Sequence, residues 1–295
     1  MAGWQSGDVE ANGIRMHYTR TGGDRPPLVL EHGVTDDGLC WTPVAETLEA
    51  DYDVIMVDAR GHGRSDAPAT GYDSATQAAD LVGVIAALGL HKPAVLGHSM
   101  GAATTLVLAG NYPDVPRAIV LEDPPGWWVA AEPAPAEEPA VTSSTIYGGE
   151  RADEERLLGM QAWFAALKHK TRAELIAEQR AAMPSWSEAE LEPWADSKLR
   201  VSSNALNVFD PNTPRSVDWL AVVRRITCPA LLITADTDRG AILTEEGANA
   251  LRALVPQLQI AHILGAGHNI RREQFARFMK AVRAFLAEQA AQAVP

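Results

Sequence analysis

Gly97-His98-Ser99-Met100-Gly101 is the stretch that decides how this chain is read. It follows the apolar run Ala94-Val95-Leu96 and precedes Ala102 to Gly110, a segment of helical character. A serine at a strand-to-helix turn, with a glycine two residues to either side, has its backbone strained and its hydroxyl exposed. The glycines have a steric purpose, because backbone passing close by would collide with a β-carbon at 97 or 101. The pattern predicts a nucleophile at Ser99, set between a strand and a helix.

Working outward, short β-rich runs alternate with helical ones from residue 9 to 123, the pattern of a mostly parallel sheet with helices on its faces. Ile14 to Thr19 follows an Asn12-Gly13 turn and predicts an opening hairpin. Leu28-Val29-Leu30, Val54 to Val57 and Ala118 to Leu121 are continuous apolar runs, as expected of strands buried on both faces. Between them, Ala78, Leu81, Val82, Ile85 and Leu88 recur at helical spacing, and Gly89 supplies a stop. After Asp123 the character changes. Pro124-Pro125-Gly126-Trp127-Trp128 leads into a proline-, alanine- and glutamate-rich stretch, 130–140, that predicts a mobile linker. From about 150 to 220 the pattern is helical only, with Thr171/Glu174 and Ser187/Glu190 as capping boxes and a kink expected at Pro193. The αβ rhythm resumes with a strand at Cys228 to Thr234, a helix at Thr244 to Leu254, a strand at Leu258 to Ile263 and a closing helix at Arg272 to Ala287. Residues 1–123 and 221–295 thus predict one doubly wound α/β core, into which a helical block, 124–220, is inserted.

The 295 residues are 46% hydrophobic and 21% charged, ordinary values for a globular protein. A net charge of -13 disfavours nucleic acid and anionic membrane surfaces as partners. The N-terminus has neither the basic nor the apolar segment of a secretory signal, and no apolar run is long enough to span a bilayer, so a cytoplasmic location is expected. Cys40 and Cys228 lie far apart and read as small core hydrophobes, and no histidines stand at zinc-ligand spacing. No metal or cofactor is expected. The expected partner is a small-molecule substrate, and the sequence leaves monomer and homodimer both open.

Four segments together resemble the α/β-hydrolase fold family: Glu31-His32-Gly33-Val34 after the third strand, Asp58 to Asp66 after the fourth, the Ser99 turn after the fifth, and Gly265-Ala266-Gly267-His268 after the last. The resemblance covers nearly all of the chain outside the helical block. It implies a sheet of about eight strands with the block as a cap. A serine hydroxyl needs a base to take its proton, and the resemblance places His268 in that role. The base needs a carboxylate to hold its tautomer. Most relatives carry that acid after the seventh strand, which here is Asp238. A minority, including haloalkane dehalogenases and the zearalenone lactonase group, carry it after the sixth, which here offers Glu122 or Asp123. The developing oxyanion needs backbone donors, and by resemblance these are the N–H groups of Val34 and Met100. Arg60 and Arg64 belong to a loop that is structural in relatives.

Six of the eight tryptophans fall between 124 and 220. Trp127 and Trp128 follow the sixth strand, and Trp41 follows the oxyanion loop, so these three are expected to line the pocket. The expected activity is cleavage of an ester or lactone of a medium-sized apolar or aromatic molecule through an acyl-enzyme. Carbon-carbon bond hydrolases, perhydrolase-type haloperoxidases, thioesterases and amidases use the same triad, and hydrolase folds also serve as small-molecule receptors. Epoxide hydrolases and haloalkane dehalogenases need a carboxylate nucleophile, which Ser99 rules out.

Overall fold

A computed structural model of the chain describes residues 3–129, 150–209 and 217–292. The linker expected at 130–140 lies outside the described residues. Eight strands form one sheet: β1 (Gln5–Ala11), β2 (Ile14–Arg20), β3 (Pro27–Glu31), β4 (Asp53–Val57), β5 (Ala94–His98), β6 (Ala118–Glu122), β7 (Ala230–Ala235) and β8 (Leu258–Ile263). Their order is β1-β2-β4-β3-β5-β6-β7-β8. β1 and β2 form an antiparallel hairpin whose turn residues Asn12 and Gly13 have φ of 47° and 79°, as a tight primed turn requires. From β4 to β8 every pairing is parallel.

Alternation along the central strands divides the core into two layers. Val29, Val95, Ile119 and Leu232 pack against helices α2 (Ser74–Ala87) and α3 (Met100–Asn111). Their neighbours Leu30, Leu96, Val120 and Ile233 pack on the opposite face, against α1 (Thr42–Leu48) and the C-terminal helix. With both faces covered, the central strands are apolar through their middles, and their polar residues Glu31, Asp53, His98 and Glu122 fall at strand ends.

Between β6 and β7 lie α4 (Glu150–Lys168), α5 (Arg172–Ala182), α6 (Glu188–Arg200), a 3-10 segment (Ser203–Phe209) and α7 (Trp219–Arg224), the last of which packs Val222 and Val223 into the same layer as α2 and α3. Leu167, Leu175, Trp186, Leu191, Trp194 and Ala195 make a small core of their own. Thr171 and Glu174 form a complete capping box. Ser187 and Glu190 do not, because the Glu190 carboxylate is drawn away to the Arg272 guanidinium at 3.2 Å. α6 also runs through Pro193 without a break. Side chains on either side of the proline tie the helix to the core, and the Cys40 thiol donates to the Pro193 carbonyl at 3.6 Å.

Beyond β7 lie α8 (Glu245–Leu254), then after β8 a short α9 (Ile270–Glu273) and α10 (Phe275–Gln292). The closing helix therefore starts three residues later than its apolar periodicity suggests. Arg271 and Arg272 are turned inward onto carboxylates, and the chain leaves helical geometry at Gln274 before α10 begins.

Candidate active site

β5 ends at His98, and Ser99 carries the chain into α3 with φ of 53° and ψ of -113°. Its N–H donates to the Glu122 carbonyl at 2.9 Å. The turn closes only because the flanking residues are glycines. A β-carbon at Gly97 would lie 2.2 Å from the Gly101 carbonyl oxygen, and one at Gly101 would lie 2.4 Å from that of Glu31.

Ser99 Oγ lies 3.0 Å from His268 Nε2, which the loop after β8 brings across from 169 residues away. On the other side of the imidazole, Nδ1 lies 2.6 Å from Asp123 Oδ2. Asp123 is fully buried, with φ of 42°, and its carboxylate also accepts N–H groups from Ile242 at 2.9 Å and Leu243 at 3.0 Å. These donors fix the carboxylate and compensate its charge, so Nδ1 carries the proton and Nε2 presents its lone pair to the serine.

The carboxylate at the imidazole is thus Asp123 and not Asp238. Asp238 sits exposed in a one-turn 3-10 segment (Thr237–Arg239). The loop after β7 approaches the histidine's acid with backbone N–H groups, and its buried-side carboxylate, Asp236, accepts the Gly265 N–H at 2.7 Å and pairs with His262. A signal for Asp123 did exist in the strand ends. His98 pairs with Glu122 across β5 and β6, so the next residues, Ser99 and Asp123, leave the sheet side by side. Strand alternation sends Glu122 to the other face, where it accepts the Arg271 backbone N–H at 2.8 Å and guanidinium at 3.0 Å. Burial pushes the Glu122 carboxyl up and Arg271 opposes that shift. Arg271→Met would leave Glu122 buried without its counter-charge, and is expected to cost about 3–5 kcal/mol of stability. Chemical denaturation measures it, and adding Glu122→Gln should recover part of the loss.

Three neutral histidines frame Ser99. His32 donates from Nδ1 to the Gly33 carbonyl and accepts the Ala59 N–H; His62 donates to the Arg60 carbonyl and accepts the Thr35 N–H. His98 donates from Nε2 to the His268 carbonyl at 3.0 Å. Burial lowers the pKa of all three, that of His62 to about 3. Since the unfolded chain binds these protons near pH 6.5, each histidine's contribution is present above pH 6.5 and is lost as pH falls toward the folded value. For His62 the window runs from 6.5 to about 3, at up to about 1.4 kcal/mol per pH unit. Denaturation midpoints at pH 7 and pH 5 should therefore fall less for His62→Gln than for the parent. Arg60 lies at 2.6 Å from both oxygens of Asp80, and Arg64 donates its backbone N–H to Asp58, which makes this loop scaffold.

The Ser99 hydroxyl opens onto a cavity of about 250 Å³. Val34 lies on its wall, and Met100, directly after the serine, begins α3, where first-turn N–H groups have no intrahelical carbonyl to reach. The cavity's aromatic surface comes from Trp163, Trp186 and Trp194. Trp41, Trp127 and Trp128 do not line it. Trp41 is fully buried beneath the Arg271 guanidinium, 4.1 Å from the ring centre. Pro124-Pro125-Gly126 turns the chain back over the sheet, so Trp128 packs into the core and donates to the Gly247 carbonyl at 2.8 Å, while Trp127 packs on Trp219.

A second serine-histidine-aspartate chain lies on the hairpin. Ser6 Oγ is 2.9 Å from His17 Nε2, and His17 Nδ1 is 2.6 Å from Asp8. It differs from the first in setting: Ser6 is exposed within β1, where the backbone is committed to pairing with β2, and no helix N-terminus stands behind it. Among the described residues, no group of three or more histidine, cysteine or acidic side chains is arranged to hold a metal, and no helix is long and apolar enough to cross a membrane.

A buried serine at a strand-to-helix turn, a histidine delivered after the last strand and an eight-stranded, mostly parallel sheet define an α/β hydrolase. A model of the α/β-hydrolase fold family matches residues 26–271, and the chain belongs to that family. It is 31% identical to N-formylmaleamate deformylase of Pseudomonas putida, over 95% of this chain and 96% of that one. It is 26% identical to 2-(acetamidomethylene)succinate hydrolase of Mesorhizobium japonicum, over 90% of each. The crystal structure of E-2-(acetamidomethylene)succinate hydrolase superposes with a TM-score of 0.75 at 22% identity, covering 96% of this chain and 99% of that one, a likeness of fold.

Proposed function

We propose that this α/β hydrolase cleaves the C–N bond of a small N-acyl compound bearing a carboxylate, through an acyl-enzyme on Ser99. The observation that carries this reading is the unbroken hydrogen-bond chain Asp123–His268–Ser99 opening onto a cavity of about 250 Å³. Ser99 Oγ attacks the acyl carbon while His268 Nε2 takes its proton, and buried Asp123 stabilises the imidazolium that forms. The tetrahedral oxyanion accepts N–H groups from Met100 and Val34. His268 then passes the proton to the departing nitrogen, and water attacks the acyl-serine by the same steps in reverse order. Helices α4 to α6 serve as the cap.

Two features favour this substrate class over the medium-sized aromatic ester expected from the sequence. At about 250 Å³ the cavity falls below the usual range of roughly 300–1,000 Å³ for ligand sites, which suits a small substrate. The two relatives aligned over nearly their whole length are named for N-formylmaleamate and 2-(acetamidomethylene)succinate, both of which join an N-acyl group to carboxylate. Esters share the acyl-enzyme route and have better leaving groups, so small esters should also be turned over. The test compares these two amides with p-nitrophenyl formate and acetate. Release of formate or acetate from an amide with kcat/KM of about 10⁴ M⁻¹s⁻¹ or more supports the reading. Turnover of the esters alone rejects it.

A further inference from the structure

We propose that Lys198, on α6 of the inserted block, is a positioning residue that holds the oxyanion loop in its working conformation. This rests on the reading of Val34 N–H as an oxyanion donor. The loop is Gly33-Val34-Thr35-Asp36, and its third residue is strained: Thr35, β-branched, has φ of 69°. Such a conformation costs on the order of 1–3 kcal/mol and persists only where the surroundings over-determine it.

Two clamps grip Thr35 from opposite sides. From the core, His62 Nε2 accepts its N–H at 3.2 Å. From the inserted block, Lys198 Nζ donates to its carbonyl at 3.0 Å and to Asp36 Oδ1 at 2.7 Å. The third ammonium hydrogen goes to Ser197 Oγ at 3.1 Å. All three donors are therefore committed, and although Lys198 borders the cavity it has none left for a substrate. Its side chain is 2% exposed, so water cannot readily take its place at the Thr35 carbonyl.

Asp36 does not depend on Lys198 alone. Its Oδ2 accepts the Arg271 and Arg272 guanidinium groups at 3.2 and 2.9 Å, so removing the ammonium leaves the carboxylate compensated. What is lost is the hydrogen bond at the Thr35 carbonyl, two peptide units along the chain from the Val34 N–H. The loop then relaxes from its strained geometry and the Val34 N–H turns from the oxyanion. Losing an oxyanion donor outright costs about 10²–10³ in kcat, and a misdirected one costs less. Lys198 thereby makes the inserted block part of the transition-state machinery as well as a cover.

The test measures kcat and KM on p-nitrophenyl acetate, a substrate that does not depend on the amide reading, for the parent, Lys198→Met, Lys198→Gln and Lys198→Arg. Affinity for phenylboronic acid, which adds to an activated serine as a tetrahedral mimic, is measured alongside. Lys198→Met should lower kcat about 10- to 100-fold with KM within threefold, and should weaken the boronic acid by a similar factor. Lys198→Arg should restore part of both. Lys198→Gln keeps one donor and should show the same split in smaller measure, even where the methionine variant folds poorly. Unchanged kcat in the folded variants overturns the proposal. So does a rise in KM with kcat intact, which would make Lys198 a substrate contact. Failure of the acyl-enzyme reading shows separately, as undiminished activity in Ser99→Ala.

Discussion

Ser99→Ala is expected to lower kcat by about a million-fold and to leave the thermal midpoint within a few degrees of the parent. The magnitude follows from the hydrogen-bond chain, because serine, imidazole and carboxylate act as one unit and removing the nucleophile disables the others. The small stability effect follows from the local structure. The turn is held by backbone contacts, with Ser99 N–H on the Glu122 carbonyl and two glycines admitting neighbouring backbone, and alanine changes none of these. Steady-state kinetics and a thermal melt on the same preparation check both halves. Residual activity above a thousandth of the parent would mean that another group attacks the substrate.

Asp123→Asn carries the second-largest expected effect, a fall in kcat of about 10⁴-fold. An asparagine amide in that position would offer N–H to the imidazole, so Nδ1 would become the acceptor and Nε2 would already carry a proton, unable to take that of Ser99. The same change leaves the Ile242 and Leu243 N–H groups competing for one oxygen, and should cost a further 1–3 kcal/mol or so of stability. Asp238→Asn should leave kcat within about twofold, since that side chain is exposed and its charge stands apart from the imidazole's hydrogen-bonded acid. Reversal of the two effects would return the acid to the loop after β7.

The strands and the elbow could be read from the chain because each is a local pattern: continuous apolar runs for doubly covered strands, glycines at 97 and 101 for the close approach of backbone. The doubly wound α/β core with its helical insert followed from the order of those patterns, and the α/β-hydrolase family from the resemblance of the loop motifs. The acid was not legible in the same way. Asp123 and Asp238 both follow a strand in the right half of the sheet, and the difference lies in which loop turns a carboxylate and which turns its amides toward His268. Composition could not decide the tryptophans either. Trp128 and Trp194 both fall in the stretch 124–220, but the turn at Pro124 to Gly126 carries the first into the sheet's core, whereas the second lies on α6 beside the cavity. Glu190 shows a third kind of limit: a sound local capping pattern yielded to a buried arginine 82 residues away.

Mass spectrometry of peptides from protein treated with a fluorophosphonate tests the central claim most directly, because only an activated serine reacts quickly. A single adduct on the peptide containing Ser99, abolished by His268→Ala and strongly slowed by Asp123→Asn, is the result expected. An adduct on Ser6 beside His17, or labelling of Ser99 that survives His268→Ala, would contradict it.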